Sequence, residues 1–280
     1  MLDKFGRRRA DRRPRFRRGV FLLPSLLTVA NLFCGYACVV YATRADFDTA
    51  ALLIGIAMVL DTLDGFFARL TNSTSAFGVE LDSLADVVSF GLAPAILAFT
   101  WGLWPLGRVG WAVGFLYLTA TAMRLARFNI QTHAPSDKRY FAGMPSPAAA
   151  GVIASTVYLY PVGLQDWEQA LPALAMVLVP AFLMVSTIRF RSFKTFDLQS
   201  RRSYAVLILF AIALALLASQ PEIVLLAVAY LYLLSGFIGL AWQRLQRRPA
   251  EPAVVAEPPP DAQALPKDDR PDAPQLSDVP

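Results

Sequence analysis

The chain has 280 residues, of which 56% are hydrophobic and only 17% are charged, and its formal net charge is +5. Soluble domains have about 45–50% apolar and about 25% charged residues, so this composition excludes an ordinary soluble enzyme domain and a disordered chain. The two cysteines, Cys34 and Cys38, are too few for a disulfide framework or a four-ligand zinc site.

The first 19 residues form a basic segment, with nine Lys and Arg residues against two acidic ones. This segment directly precedes an apolar block, and bases beside a membrane span favour contact with anionic lipid headgroups over nucleic acid. We therefore predict a cytoplasmic N-terminal segment, membrane lipids as partners, and no nucleic-acid partner.

Apolar blocks then recur along the chain, and each has about the length at which an α-helix crosses the hydrocarbon core. The predicted fold class is an all-α membrane protein with about eight transmembrane helices, which together form a catalytic domain over residues 20–243. The predicted spans are 20–43, 49–69, 78–100, 109–130, 145–162, 170–188, 204–219 and 223–243.

The distribution of positive charge predicts how the chain is oriented. With the N-terminus in the cytoplasm, only Arg44 and Arg108 of the 26 Lys and Arg residues fall on the outer side. Both termini are therefore predicted to be cytoplasmic, and the location is predicted to be a bacterial plasma (inner) membrane.

The composition changes at the C-terminal end of the last predicted span. From Pro249 onward the chain contains nine of its twenty prolines, and seven acidic residues stand against two basic ones. Such a segment cannot bury enough apolar surface to offset the entropy lost on ordering. We predict a disordered, proline-rich, acidic cytoplasmic tail over residues 244–280.

Four aspartates within the second and third predicted spans need a functional explanation, because an ionised Asp inside a span costs about 2.5 kcal/mol or more. Asp61 and Asp64 are three residues apart on one helix, and Asp82 and Asp86 are four residues apart on the next. The polar link after Leu70 suits a short turn between antiparallel helices. We therefore expect all four carboxylates to converge near the cytoplasmic interface.

Converging carboxylates repel one another unless cations neutralise them, and oxygen ligands without His or Cys indicate Mg²⁺, Mn²⁺ or Ca²⁺. Gly65 and Gly78 leave room for a ligand near the backbone, and Arg69 suits a phosphate. The alternative is that the acids line an ion path or pair with Arg69, Arg124 and Arg127. We favour a metal and phosphate site because the two glycines and Arg69 accompany the acids at helical spacing.

The segment from Asp61 to Asp86 resembles the signature of the CDP-alcohol phosphatidyltransferases at every defined position. In this chain the matching residues are Asp61, Asp64, Gly65, Ala68, Arg69, Gly78, Asp82 and Asp86. Flanking segments look like the phosphatidylserine synthase branch of that family, through residues 23–28, 31–35, 89–94, 124–129 and 143–147. Ser25 is a departure, since many relatives have Asn there.

The resemblance implies a homodimeric membrane enzyme of phospholipid biosynthesis that transfers the phosphatidyl group from CDP-diacylglycerol to the hydroxyl of L-serine, releasing CMP. It also implies that Asp61, Asp64, Asp82 and Asp86 hold two Mg²⁺ or Mn²⁺ ions. Asp86 takes the further role of the general base, and a plain fourth ligand is the alternative role. Gly65, Ala68, Arg69 and Gly78 are implied to contact the substrate.

Four further residues are candidates for substrate binding. Arg124 and Arg127 suit the carboxylate of the acceptor or a phosphate, or else they extend toward headgroups. Ser146 could shape the serine pocket or simply begin a helix. Asn31 could contact cytidine or phosphate, or make an interhelical hydrogen bond.

Two other functions compete with serine phosphatidyl transfer. Within the family, the acceptor could be glycerol 3-phosphate, inositol phosphate or choline, which the four aspartates do not discriminate. From another class, a cation transporter could use intramembrane Asp ligands. Transport is disfavoured because the acids occupy two adjacent helices near one face rather than a path across the membrane.

Overall fold

A computed structural model describes residues 22–71, 75–132, 140–186, 189–191, 211, 215–216 and 218–246. Its helices are α1 (Leu22–Thr43), α2 (Phe47–Leu70), α3 (Ala76–Leu106), α4 (Arg108–Thr132), α5 (Ser146–Leu159), α6 (Trp167–Val185) and α7 (Pro221–Gln246). Two strands, β1 (Tyr140–Ala142) and β2 (Arg189–Arg191), complete the described elements.

Six of these helices are long and apolar enough to cross a membrane, and α5 is a shorter apolar helix. The prediction of a multi-pass helical membrane protein is confirmed. Seven of the eight predicted spans coincide with α1 to α7, whereas the span at 204–219 falls largely outside the described residues. The N-terminal segment and almost all of the tail lie outside them as well, so the predicted domain boundaries stay predictions.

The first two helices form a hairpin with a very tight link. The backbone N–H groups of Arg44 and Asp46 both donate to the carbonyl of Tyr41, and Ala45 takes a positive φ of 59°. On α2, the buried residues Ala50, Ile54 and Ala57 recur every three or four positions and form one packed face. Small side chains on that face allow neighbouring helices to approach closely.

The third helix is continuous but irregular. Its α-helical parts, Ala76–Asp86 and Ala93–Ala98, are separated by a π-helical stretch, Val87–Leu92, and a second one, Phe99–Leu103, precedes the final turn. Pro94 has no N–H to donate to the carbonyl of Phe90, four residues earlier. The Tyr117 hydroxyl of α4 donates to that carbonyl at 3.3 Å, so a side chain from the neighbouring helix contributes a donor to it.

Close packing also joins α1 to the π-helical stretch of α3. The Ser89 hydroxyl donates to the carbonyl of Asn31 at 2.9 Å. A Cβ added at Gly35 would lie 2.6 Å from the Ser89 hydroxyl oxygen and 2.8 Å from its Cα, so only glycine fits at this crossing. This contact fixes the register of α1 against the helix that carries Asp82 and Asp86.

The two short strands are the one departure from the predicted all-helical chain within the described residues. They pair antiparallel, with Tyr140 opposite Arg191 and Ala142 opposite Arg189. The backbone N–H of Met144 then donates to the carbonyl of Leu183 at 3.0 Å. These bonds tie the segment before α5 to the end of α6, and three-residue strands give too short a pattern to be recognised in the sequence.

Candidate active site

The acidic residues extend the packed face of α2 by two further turns. Asp61 and Asp64 follow Ala57 at helical spacing, and Asp64 is only 5% exposed. One oxygen from each of Asp61, Asp64 and Asp82 lies within 4.8 Å of the others. The predicted convergence of carboxylates from α2 and α3 is therefore present for three of the four residues.

Asp86 is not a member of this three-oxygen cluster. It lies one turn beyond Asp82 on α3, and its charge interacts with those of Asp61, Asp82 and Asp64. The Oδ1 atoms of Asp82 and Asp86 are both buried, and neither has a hydrogen-bond partner among the described residues. The structure thus separates Asp86 in position from the other three carboxylates.

The cluster has the donor chemistry and spacing of a divalent-cation site. Two ligands of one Mg²⁺ ion are at most about 4.2 Å apart, since each Mg–O distance is about 2.0–2.1 Å, and Ca²⁺ allows somewhat more. The donors are all carboxylate oxygens, as these cations prefer. A buried carboxylate oxygen without a partner is costly, and a bound cation would satisfy it.

A cavity of about 200 Å³ opens beside the cluster, between α1, α2 and α3. Asp64 and Asp82 line it together with the four signature residues that are not aspartates, namely Gly65, Ala68, Arg69 and Gly78. A Cβ added at Gly65 would lie 3.6 Å from Nη1 of Arg69, so the guanidinium covers this glycine. Four of the eight predicted substrate-binding residues therefore share one cavity with two of the predicted metal ligands.

The N-terminus of α3 faces the same cavity. Ser75 caps the helix, and its hydroxyl oxygen accepts a hydrogen bond from the backbone N–H of Gly78 at 3.0 Å. Ser75, Gly78 and Val79 all line the cavity. Because helix N-termini favour anions, a phosphate in this cavity would meet both the α3 dipole and the Arg69 guanidinium.

A second group of predicted residues lies around Arg124 on α4. Its Nη1 donates to the Ser146 hydroxyl at the start of α5, at 2.9 Å, while its buried Nε has no hydrogen-bond partner among the described residues. Arg124 also interacts electrostatically with Asp86. The hydrogen bond between Arg124 and Ser146 therefore joins two acceptor-pocket candidates, and Arg124 lies within electrostatic reach of Asp86.

The other two candidates differ in their surroundings. Asn31 is fully buried, and both polar atoms of its side chain lack a hydrogen-bond partner among the described residues. It therefore does not make the interhelical side-chain bond that was the alternative, although its backbone carbonyl accepts from Ser89. Arg127 is partly exposed, one turn beyond Arg124, and is not among the residues that line the 200 Å³ cavity.

Two residues at the site had no role in the sequence interpretation. The hydroxyl of Thr28 on α1 lies 3.0 Å from Oδ2 of Asp64 and is buried. Tyr232 on α7 interacts electrostatically with Arg124. The sequence contains a signal for Thr28, because Ser25, Thr28 and Asn31 recur every three residues on an otherwise apolar helix. It contains no such signal for Tyr232.

Comparison with known proteins identifies relatives of this chain. The family model described as CDP-alcohol phosphatidyltransferase matches residues 21–187. The chain is 39% identical to the CDP-diacylglycerol–serine O-phosphatidyltransferase of Helicobacter pylori over 222 residues, which are 78% of this chain and 91% of the relative. It is also similar to the proteins of that name from Mycobacterium bovis (33% identity, 79% of both chains) and Bacillus subtilis (34% identity, 61% of this chain and 91% of the relative).

Proposed function

This chain belongs to the CDP-alcohol phosphatidyltransferase family, and on that premise we propose that it transfers the phosphatidyl group of CDP-diacylglycerol to L-serine. The products are phosphatidylserine and CMP. The observation that carries the proposal is the convergence of Asp61, Asp64 and Asp82 beside a cavity that Arg69 also lines. The names of the relatives support serine as the acceptor.

In this proposal two Mg²⁺ or Mn²⁺ ions are held by the three clustered aspartates, with Asp86 as a further ligand. The all-oxygen donor set supports this choice, as do the buried oxygens of Asp82 and Asp86 that lack hydrogen-bond partners among the described residues. Divalent ions, when bound, stabilise the negative charge that develops on the phosphate oxygens. Thr28 holds the Asp64 carboxylate in place, since its hydroxyl contacts Oδ2 of that residue.

The diphosphate of the liponucleotide occupies the 200 Å³ cavity in this proposal. Arg69 and the α3 N-terminus supply positive charge, while Gly65, Ala68 and Gly78 leave space for the ligand. The acyl chains remain in the apolar part of the bundle. A site near one end of the helices serves both halves of such a substrate.

Asp86 is proposed to act as the general base. Its carboxylate takes the proton of the serine hydroxyl, the serine oxygen attacks the phosphorus that bears diacylglycerol, and the bond from that phosphorus to the CMP oxygen breaks. The surroundings of Asp86 support this role, because its charge interacts with those of the three clustered aspartates and with that of Arg124. A positioned base contributes roughly 10²–10⁴-fold to the rate of such a step.

Arg124 is proposed to bind the carboxylate of serine. One of its guanidinium nitrogens already holds Ser146, and the buried Nε has no hydrogen-bond partner among the described residues. A guanidinium presents donors in a fixed fork that matches a carboxylate. Arg127, which is partly exposed, is proposed to contact lipid headgroups or the entering substrate. Asn31 is proposed to contact the bound liponucleotide.

We further propose that the protein lies in a bacterial inner membrane, with the active site facing the cytoplasm, and that it is a homodimer. The excess of Lys and Arg in the predicted cytoplasmic segments supports the orientation. Liponucleotides and serine are both available to a site at that interface.

The experiment that tests the proposal uses the purified protein in detergent with CDP-diacylglycerol, Mn²⁺ and labelled L-serine. The expected result is labelled lipid with release of CMP, and loss of both in the Asp82→Asn variant. Parallel reactions contain glycerol 3-phosphate, inositol phosphate or choline in place of serine. CMP release with one of these and not with serine would overturn the acceptor, and no CMP with any of them would overturn the reaction.

A further inference from the structure

A hydrogen bond between α4 and α3 falls between two of the carboxylates. Nδ2 of Asn129 donates to the hydroxyl oxygen of Ser83 at 2.9 Å, and that hydroxyl donates in turn to the carbonyl of Val79, at 3.1 Å. Ser83 directly follows Asp82 and precedes Asp86 by three residues. The bond from Asn129 therefore acts on the turn of α3 that carries both carboxylates.

This turn of α3 needs a support of its own, because the helix becomes irregular directly beyond it. The α-helical part Ala76–Asp86 ends where the π-helical stretch Val87–Leu92 begins. A π-helical stretch rotates less per residue than an α-helix does, so the rotation of Ala76–Asp86 does not follow from the packing of the rest of α3. Among the described residues, the bond from Asn129 is the one side-chain hydrogen bond that joins Ala76–Asp86 to another helix.

Helix α4 is well placed to provide that support. A row of its residues recurs every four positions ahead of Asn129, and each is at most 6% exposed: Tyr117, Thr121 and Leu125. At one end of this row the Tyr117 hydroxyl donates to the carbonyl of Phe90, which follows Asp86 in α3. At the other end Asn129 donates to Ser83, which precedes Asp86. The contacts of α4 therefore hold α3 on both sides of Asp86.

We propose that Asn129 is a positioning residue of the active site, which fixes the rotation of Ala76–Asp86 through Ser83 and so places the carboxylates of Asp82 and Asp86. The inference rests on the proposed function, in which these two aspartates are a metal ligand and the base. The direction of the bond supports it. A serine hydroxyl has one proton, and since that of Ser83 goes to a carbonyl of its own helix, its oxygen accepts from the amide of Asn129.

A bond that only stabilised the packing of α3 against α4 would have a different effect. Its loss would lower the thermal midpoint, while the molecules that remain folded would keep their affinity for metal and their turnover. Loss of a positioning bond instead changes the folded protein. The metal ligand Asp82 and the base Asp86 shift together, so metal affinity and kcat both fall.

The test measures Mn²⁺ binding to the purified protein in detergent, from the electron paramagnetic resonance signal of the free ion. The parent is compared with Asn129→Ala, Ser83→Ala and the double variant. Partners that orient a metal ligand change metal affinity by about 10–100-fold, so we expect each single variant to bind Mn²⁺ about tenfold more weakly. Because both substitutions remove the same bond, the double variant should bind within about twofold of the weaker single variant.

Turnover is measured on the same proteins as CMP release from CDP-diacylglycerol, at saturating Mn²⁺ and serine. A displacement of about 1 Å at a reacting group can cost about 10²-fold, so we expect kcat to fall about tenfold or more in each single variant and no further in the double variant. Thr119→Ala is the matched control on α4, because its hydroxyl donates within the helix, to the carbonyl of Phe115 at 2.9 Å. It should keep the parental Mn²⁺ affinity and kcat.

Parental Mn²⁺ affinity in both single variants would overturn the proposal, as would losses that multiply to about a hundredfold in the double variant. Unchanged kcat would overturn the placement of Asp86. Ser83→Ala decides the question if Asn129→Ala does not fold, because alanine is the strongest helix former and Ser83 lies within a helix. A parent that binds Mn²⁺ but releases no CMP would overturn the proposed function and leave the comparison of Mn²⁺ affinities valid, so the two failures are distinguishable.

Discussion

The hydrogen bond between Thr28 and Asp64 links the packing of α1 to the chemistry of the site, and removing it gives a quantitative test. The two atoms are 3.0 Å apart, and each residue is only 5% exposed. In a Thr28→Val variant the shape is kept, but the carboxylate loses its hydroxyl partner. A hydrogen bond to a charged group contributes about 1.5–3 kcal/mol. Since about 1.4 kcal/mol corresponds to a factor of ten, the loss corresponds to roughly 10–100-fold in affinity.

The loss of affinity in the Thr28→Val variant should appear mainly in the metal dependence of the reaction. Partners that orient a metal ligand typically change metal affinity by about 10–100-fold. CMP release is measured against Mg²⁺ and Mn²⁺ concentration, at saturating CDP-diacylglycerol and serine. We expect Thr28→Val to raise the half-saturating metal concentration by about 10–100-fold, with kcat at saturating metal within a few-fold of the parent. Thr28→Ser, which keeps the hydroxyl, should behave like the parent.

Thr62 provides the matched control on α2. Its hydroxyl donates to the carbonyl of Met58 within the same helix, at 2.8 Å, and it is exposed. Thr62→Val removes the same group from a neighbouring turn and should leave the metal dependence unchanged. A Thr28→Val enzyme with the parental half-saturating concentration would refute the reasoning, as would an equal shift in Thr28→Val and Thr62→Val.

Three further outcomes follow from the same contacts. Asp86→Asn should keep CDP-diacylglycerol binding, measured with a fluorescent analogue, while turnover falls by about 10²-fold or more; full turnover would remove the base assignment. Ser146→Ala should change the KM for serine more than the KM for CDP-diacylglycerol, because Arg124 loses the partner that holds one of its nitrogens; equal changes in both would contradict an acceptor pocket there. Gly35→Ala should lower the thermal midpoint by about 2–10 °C, because the added methyl group overpacks the α1–α3 crossing. Gly114→Ala should leave the thermal midpoint unchanged, because the nearest atom is 3.6 Å from the added Cβ.

The sequence was most informative where one physical pattern dominates. Long apolar blocks predict membrane helices because an unpaired backbone cannot remain in hydrocarbon. Six of the eight predicted spans coincide with helices that are long and apolar enough to cross a membrane. The spacing of Asp61 and Asp64 predicts that they lie on one face of α2, and their carboxylates do meet that of Asp82 on α3. Both inferences need only the 3.6-residue period and the high cost of placing a charge in a membrane.

The features that could not be predicted depend on how separate elements pack. The contacts of Thr28 and Tyr232 depend on how α1 and α7 pack against other helices. The sequence contains a spacing signal for Thr28 but none for Tyr232. The π-helical stretch Val87–Leu92 of α3 contains the Phe90 carbonyl, which accepts from the Tyr117 hydroxyl of a different helix. The separation of Asp86 from the other three carboxylates likewise depends on how α2 and α3 are oriented to each other.

The packed face of α2 has a consequence for how this enzyme can change. Ala50, Ile54 and Ala57 hold the bundle together, and Asp61 and Asp64 occupy the next positions of the same face. A larger side chain at Ala57 would rotate or shift the helix and move both carboxylates with it. The spacing of the carboxylate oxygens therefore cannot be changed through this face without also changing the packing of the bundle. Arg124 and Ser146 belong to other helices, so in the proposed assignment the acceptor pocket can be changed while α2 stays untouched.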